Sequence, residues 1–159
     1  MIKVAVIGSN SFSGSHFVNY VLENTNYDVI GISRSLEYNP IFLPYKKRSD
    51  VGRRFKFFQM NLNHDVDKII ELFKQQNVEY VVNFAAQGMV GQSWDNPAHW
   101  FCTNTLGIVN LTNELKKHLP GLKKYVQIST PEIYGASKNI TEENAVANPS
   151  TPYAVSKLA

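Results

Sequence analysis

Apolar and polar positions along the chain alternate between two periods. Residues 2–7 (IKVAVI) and 28–32 (DVIGI) are short apolar runs that predict buried strands, and between them Phe12, Phe17, Val18, Val21 and Leu22 recur at helical spacing over 12–25. A polar and basic stretch at 33–54 predicts loop. Beyond it, 55–60 (FKFFQM) predicts strand, 64–76 helix, 79–84 (EYVVNF) strand, 95–118 a long helix, and 122–129 (LKKYVQIS) strand. Strands that alternate with helices imply βαβ units, right-handed crossovers and a parallel sheet. The expected architecture is a doubly wound α/β sheet forming one domain over 1–159, without internal repeats or low-complexity segments.

Composition narrows the function classes. The chain has 159 residues, of which 43% are hydrophobic and 18% charged, as is ordinary for a globular domain large enough to bury a core. A formal charge of +3 is a weak basis for nucleic-acid binding, and a solvated surface is the expectation. The single cysteine, Cys102, permits no intrachain disulfide, and His16, His64, His99 and His118 have no metal-ligand spacing. The apolar start is too short for a membrane span and runs straight into glycine, without a small-residue cleavage site. These features predict a cytoplasmic protein without a metal centre.

Candidate chemistry begins after the first strand, where "GSNSFSG" (8–14) opens a helix. A glycine-rich strand-to-helix turn lets backbone approach a pyrophosphate, and the helix N-terminus contributes unpaired N–H groups and partial positive charge. Gly8, Ser11, Phe12, Ser13 and Gly14 are therefore candidate dinucleotide-binding residues, with Ser11 standing where a middle glycine is expected. After the second strand, a carboxylate would bind a ribose 2′-hydroxyl and an arginine a 2′-phosphate; the chain has Ser33 and Arg34, which favours NADP over NAD. The basic residues Lys46, Lys47, Arg48, Arg53, Arg54 and Lys56 read as a solvated loop. Near the end, Tyr153 and Lys157 lie one helical turn apart. A free phenol titrates near pH 10, so a tyrosine base at neutral pH needs a neighbouring cation, which Lys157 supplies.

Gly8, Gly14, "NFAAQ" (83–87), "NTLG" (104–107), "STPEIYG" (129–135) and Tyr153-Ala-Val-Ser-Lys157 occur in the order and spacing of the extended short-chain dehydrogenase/reductases. The chain most resembles their branch of NAD(P)-dependent nucleotide-sugar epimerases and 4,6-dehydratases, from its first strand to its last residue. The resemblance implies a Rossmann-type cofactor domain, truncated before a C-terminal substrate domain expected beyond Ala159, and a homodimer packed through the long helices. It implies a nucleotide-sugar substrate, and no nucleic-acid or membrane partner. It also implies that Asn61, Leu62, Phe84, Ala85, Ala86, Gln87, Asn104 and Ser129 line the cofactor, with Asn61 near the adenine in place of an aspartate.

In the same resemblance, Tyr153 is the catalytic base with Lys157 as its partner. Ser129 and Thr130 hydrogen-bond the substrate oxygen, Thr130 matching the family's catalytic hydroxyl. Glu132 matches the glutamate that removes the proton beside the 4-keto group in 4,6-dehydratases, a place where epimerases usually have no acid. Pro131 replaces the aspartate of glucose-type dehydratases, an aspartate that mannose-type dehydratases also lack, and Gly88 stands where those enzymes carry serine. The expected activity is 4,6-dehydration. The alternatives are 4-epimerisation or keto reduction by the same Tyr153 and Thr130 step, and an inactive cofactor-binding module. Trp94, His99, Trp100 and Phe101 read as core or an oligomer contact, and Thr141-Glu142-Glu143 as a helix or turn start where negative charge is favourable.

Overall fold

A computed structural model describes residues 1–136 and 144–159; the turn start read at 141–143 lies outside the described residues. Compact packing divides the chain into two units, one of residues 1–85 and 110–128, the other of 86–109 and 129–159.

The first unit holds a five-stranded parallel sheet of β1 (Lys3–Ile7), β2 (Asp28–Ser33), β3 (Phe55–Gln59), β4 (Tyr80–Asn83) and β5 (Lys124–Gln127), in the order β3-β2-β1-β4-β5. The central pair are in register from Lys3 opposite Asp28 to Ile7 opposite Ile32, and β4 joins the other side of β1 from Val4 opposite Tyr80 to Ile7 opposite Asn83. Val4, Ala5, Val6, Ile7, Val29, Ile30 and Ile32 are all buried, because a parallel sheet is covered on both faces and its inner strands read as continuous apolar runs. Strand order reverses between β1 and β4, which makes their carboxyl ends the place where ligands bind in such sheets.

Helix α1 (Phe12–Asn24) presents Gly14, Ser15, Val18, Val21 and Leu22 to the core. The stretch expected as loop contains single turns at Pro40–Phe42 and Pro44–Lys47 and a short helix α2 (Val51–Arg54). Three of its basic residues are engaged in ion pairs: Lys46 pairs with Glu37 at 2.6 Å, and Arg48 and Arg54 both pair with Asp50 at 3.0 Å. Arg54 also donates to the carbonyls of Leu22 (2.8 Å), Thr25 (2.6 Å) and Tyr27 (2.7 Å), and so closes the C-terminal end of α1 and its connection to β2. Those carbonyls lose their partner in Arg54→Ala, which is expected to cost about 2–4 kcal/mol of stability, measurable by urea unfolding. Arg54→Lys restores only part of it, because one ammonium cannot reproduce the planar fork.

Within this stretch Tyr45 is fully buried, its ring packed at a tilt of 42° against Phe55 with centroids 4.5 Å apart and its hydroxyl donating to Glu37 at 2.9 Å. Burial, then the Glu37 contact, push its phenol well above the ordinary range. Helix α3 (Val66–Gln76) begins two residues later than the periodicity predicts. Asp65 just before it accepts from Asn61 N–H at 2.8 Å, tying residues 61–65 into a turn. The helix ends at Asn77 in the left-handed region (φ 54).

The second unit contains a single turn at Gly91–Trp94, helix α4 (Pro97–Phe101), a π-helical turn at Cys102–Leu106, the start of α5 (Gly107–His118), a 3₁₀ turn at Pro131–Tyr134 and helix α6 (Pro152–Leu158). The predicted single helix over 95–118 is therefore interrupted by one wide turn, a feature frequent at functional sites. Helix α6 packs against α4, the π turn and the turn at 131–134. Among the described residues no helix is long and apolar enough to cross a membrane.

Candidate functional site

The candidate phosphate turn is shaped by glycine geometry. Gly8 has φ +84, and a Cβ there would stand 2.6 Å from Ala85 N and 2.8 Å from the carbonyl carbon of Phe84. A Cβ on Gly14 would lie 2.2 Å from Gly8 O, so only glycine lets α1 sit this close to the strand end. Ser11 is the N-cap: its Oγ accepts from Gly14 N–H at 3.0 Å, and its carbonyl accepts from Ser15 N–H at 2.8 Å. Of the four N–H groups that a helix start leaves without intrahelical partners, those of Phe12 and Ser13 remain for an incoming anion. The serine in the middle glycine's place is thus explained by capping, and the cradle fits a dinucleotide pyrophosphate. Gly14→Ala is expected to force α1 away from Gly8, costing about 1–3 kcal/mol of stability. It is also expected to abolish any rise of the unfolding midpoint on addition of NADH, measured beside the parent protein.

Asn10 anchors the far side of this turn. Its N–H donates to Ser33 Oγ at 3.0 Å, and its Nδ2 to Ser35 Oγ (3.0 Å) and Leu36 O (2.7 Å). Ser33 is buried and its hydroxyl holds the turn, whereas Arg34 beside it is exposed at the strand end. Asn61 Oδ1 accepts from Asn63 N–H at 3.0 Å, and Leu62 is buried.

At the carboxyl end of β4, Asn83 is wholly buried. Its Nδ2 donates to Gln127 Oε1 (3.0 Å) and Tyr125 Oη (3.2 Å), while its Oδ1 accepts from Ala85 N–H (2.9 Å). Tyr125 Oη also donates to Gln127 Oε1, and burial raises its phenol above the ordinary value. Tyr125 and Gln127 carry no motif signal; their alternation with exposed Lys124 and Val126 is the only trace of them in the sequence.

The second unit brings the acid–base candidates onto adjoining elements. Thr151 caps α6 by accepting from Ala154 N–H at 3.0 Å, and Pro152 occupies the first helical position, where its missing N–H costs nothing. Tyr153 and Lys157 follow one turn apart. Tyr153 N–H donates to Ser93 Oγ (3.1 Å), whose own proton goes to Val90 O (2.6 Å). Asn104, in the π turn, accepts from Gln87 N–H (2.8 Å) and donates to Gln87 O (3.1 Å) and Ser156 Oγ (2.9 Å); Thr105 Oγ1 donates to Ser156 O (3.0 Å). Asn104 thus fixes both the 87–88 segment and α6. Trp100 adds to this by donating its indole N–H to Gly88 O at 2.7 Å.

Lys157 is half-buried, and burial lowers its ammonium below the ordinary lysine value. Thr130 caps the turn at 131–134, its Oγ1 accepting from Glu132 N–H at 3.3 Å, and Glu132 is partly exposed in the first turn. Ser129 is exposed beside it. Gly135 (φ +70) closes the turn where a Cβ would meet Asn148 O at 2.2 Å. Ser93 and Ser156 escaped the sequence reading, because a lone serine without periodic context has no signature.

Residues 6–159 match the protein family described as GDP-mannose 4,6 dehydratase. The chain is 30% identical to a UDP-glucose 4-epimerase of Lacticaseibacillus casei over 99% of its own length and 44% of that protein's. Among solved structures it superposes on the UDP-Glc/GlcNAc 4-epimerase of Campylobacter jejuni with TM-score 0.84 and 26% identity, covering 99% of this chain and 46% of that one. It also superposes on a dTDP-glucose 4,6-dehydratase of Bacillus anthracis solved with NAD, with TM-score 0.80 and 28% identity, covering 99% and 47%. The chain spans about half the length of the curated relatives it matches. The preference for NADP read from Arg34 gains no support from these neighbours.

Proposed function

The chain belongs to the nucleotide-sugar epimerase/dehydratase family of extended short-chain dehydrogenase/reductases, and from that premise we propose that it forms the cofactor-binding and acid–base portion of a nucleotide-sugar 4,6-dehydratase. The observation that carries the choice of reaction is Glu132, a carboxylate in the first turn after Thr130, on an element packed against the helix of Tyr153 and Lys157. In this reading the N–H groups of Phe12 and Ser13 hold the pyrophosphate of NAD, which the relative solved with NAD favours over NADP. The reading includes a substrate domain following Ala159 and a homodimer.

NAD held by that turn would supply a reversible hydride acceptor for the sugar C4 and C6. Tyr153 Oη takes the proton of the C4 hydroxyl, with the Lys157 ammonium stabilising the phenolate. Thr130 Oγ1 hydrogen-bonds the C4 oxygen as it becomes a ketone. That ketone acidifies C5–H; the Glu132 carboxylate takes this proton and gives it to the departing C6 hydroxyl, which leaves as water, and the exchangeable proton that Tyr153 took from the C4 hydroxyl is delivered to C5. Two protons are taken and two returned.

The second reading, 4-epimerisation, is favoured by the relatives that bear that name, the Lacticaseibacillus casei protein among them. Turnover in D2O separates the two. A dehydratase exchanges the C5 proton and yields product deuterated at C5, whereas an epimerase acting at C4 leaves C5 unlabelled.

A further inference from the structure

The polar cluster at the ends of β4 and β5, built on the buried Asn83 and the half-buried Tyr125 and Gln127, has no part in the reaction above, yet it adjoins the phosphate turn through an unbroken chain of contacts. Gln127 Oε1 accepts both from Tyr125 Oη and from Asn83 Nδ2 at 3.0 Å. The Gln127 Oε1 acceptor and the Ala85 N–H donor fix which way round the Asn83 amide lies: turned over, its oxygen would oppose Gln127 Oε1 and its NH₂ would oppose the N–H of Ala85. In the observed orientation Asn83 Oδ1 holds Ala85 N–H at 2.9 Å, and Phe84 N–H donates to Ile7 O at 2.8 Å. The backbone so held is the wall against which Gly8 packs, since a Cβ on Gly8 would meet Ala85 N at 2.6 Å. Ile128 N–H donates to Asn83 O at 3.0 Å and keeps the β5 end in register with this arrangement.

We propose that Gln127 and Tyr125 are positioning residues for dinucleotide binding: by orienting the Asn83 amide they set the backbone at Phe84 and Ala85 against the Gly8 turn, without touching the cofactor. The proposal rests on the dinucleotide reading of that turn. Gln127→Leu removes the acceptor shared by the Asn83 NH₂ and the Tyr125 hydroxyl, leaving the hydroxyl, which accepts from that NH₂ at 3.2 Å, free to turn and donate elsewhere, so the amide is held less firmly. Gln127→Glu keeps an acceptor in place.

The test is NADH affinity of the full-length protein by fluorescence titration, with unfolding midpoints measured alongside. Gln127→Leu is expected to weaken NADH binding by about tenfold, equivalent to about 1.4 kcal/mol, and Tyr125→Phe by a smaller factor with the fold intact. Gln127→Glu should bind within a few-fold of the parent. Should Gln127→Leu and Tyr125→Phe lower the unfolding midpoint while leaving NADH affinity unchanged, the cluster serves stability alone and the proposal is overturned. A parent protein that binds no NADH overturns the dinucleotide reading as well, which distinguishes that failure from a failure of the positioning role.

Discussion

Tyr153→Phe is expected to lower turnover by about a hundredfold to ten-thousandfold, the range that a positioned proton-transfer group contributes. The substitution removes one oxygen and little else. Helix α6 keeps its Thr151 cap and its Pro152 start, and the Tyr153 backbone N–H still donates to Ser93 Oγ, so the ring stays where it was. NADH affinity and the unfolding midpoint should therefore change little while kcat collapses; a loss below tenfold in kcat would exclude the phenol as the base.

The pH profile adds a second check on the same pair. Burial lowers the Lys157 ammonium, so folding disfavours its charge, and between the lowered value and the ordinary lysine value the unfolded chain binds a proton that the folded chain has lost. As pH rises through the lowered value this penalty disappears and stability increases. Activity moves the opposite way, because the phenolate loses its supporting cation over the same interval. Opposite slopes of stability and kcat on the alkaline side are the expected signature.

Glu132→Gln is expected to separate oxidation from elimination. Gln keeps the size of the side chain and leaves the backbone N–H donation to Thr130 Oγ1 untouched, so the turn at 131–134 is preserved. What it loses is a carboxylate able to take the C5 proton. Water loss should fall by about a hundredfold or more, while the Tyr153 step continues and reduced nicotinamide accumulates, visible by its absorbance in a single turnover. Full turnover in Glu132→Gln would move the protein to the epimerase reading.

The sheet was legible because parallel strands covered on both faces leave unbroken apolar runs: IKVAVI and DVIGI fall on β1 and β2. Helix α1 was equally plain, its apolar spacing bounded by the Ser11 cap. The π turn at Cys102–Leu106 was not legible, since periodicity continues across one wide turn and only the partners of Asn104 reveal it. Arg54 looked like one more cation in a solvated loop; its role depends on carbonyls roughly thirty residues away in sequence, which no local pattern encodes. Ser33 was read toward the cofactor, and the acceptance of Asn10 N–H by its hydroxyl was not legible in the sequence. Asn83 entered the sequence reading as the start of the NFAAQ motif, and its network stayed hidden because Tyr125 and Gln127 come from a strand about forty residues later. Glu132, Tyr153 and Lys157 were singled out by motif order, and the turn of Glu132 packs against the helix of Tyr153 and Lys157.

The most direct test of the central claim is to incubate the full-length protein with NAD and, in turn, GDP-mannose, dTDP-glucose and UDP-glucose, and to weigh the sugar product by mass spectrometry. A product lighter by one water, formed from one of these sugars and missing with Glu132→Gln, is the predicted result. A product of unchanged mass with inverted configuration at C4 would contradict it.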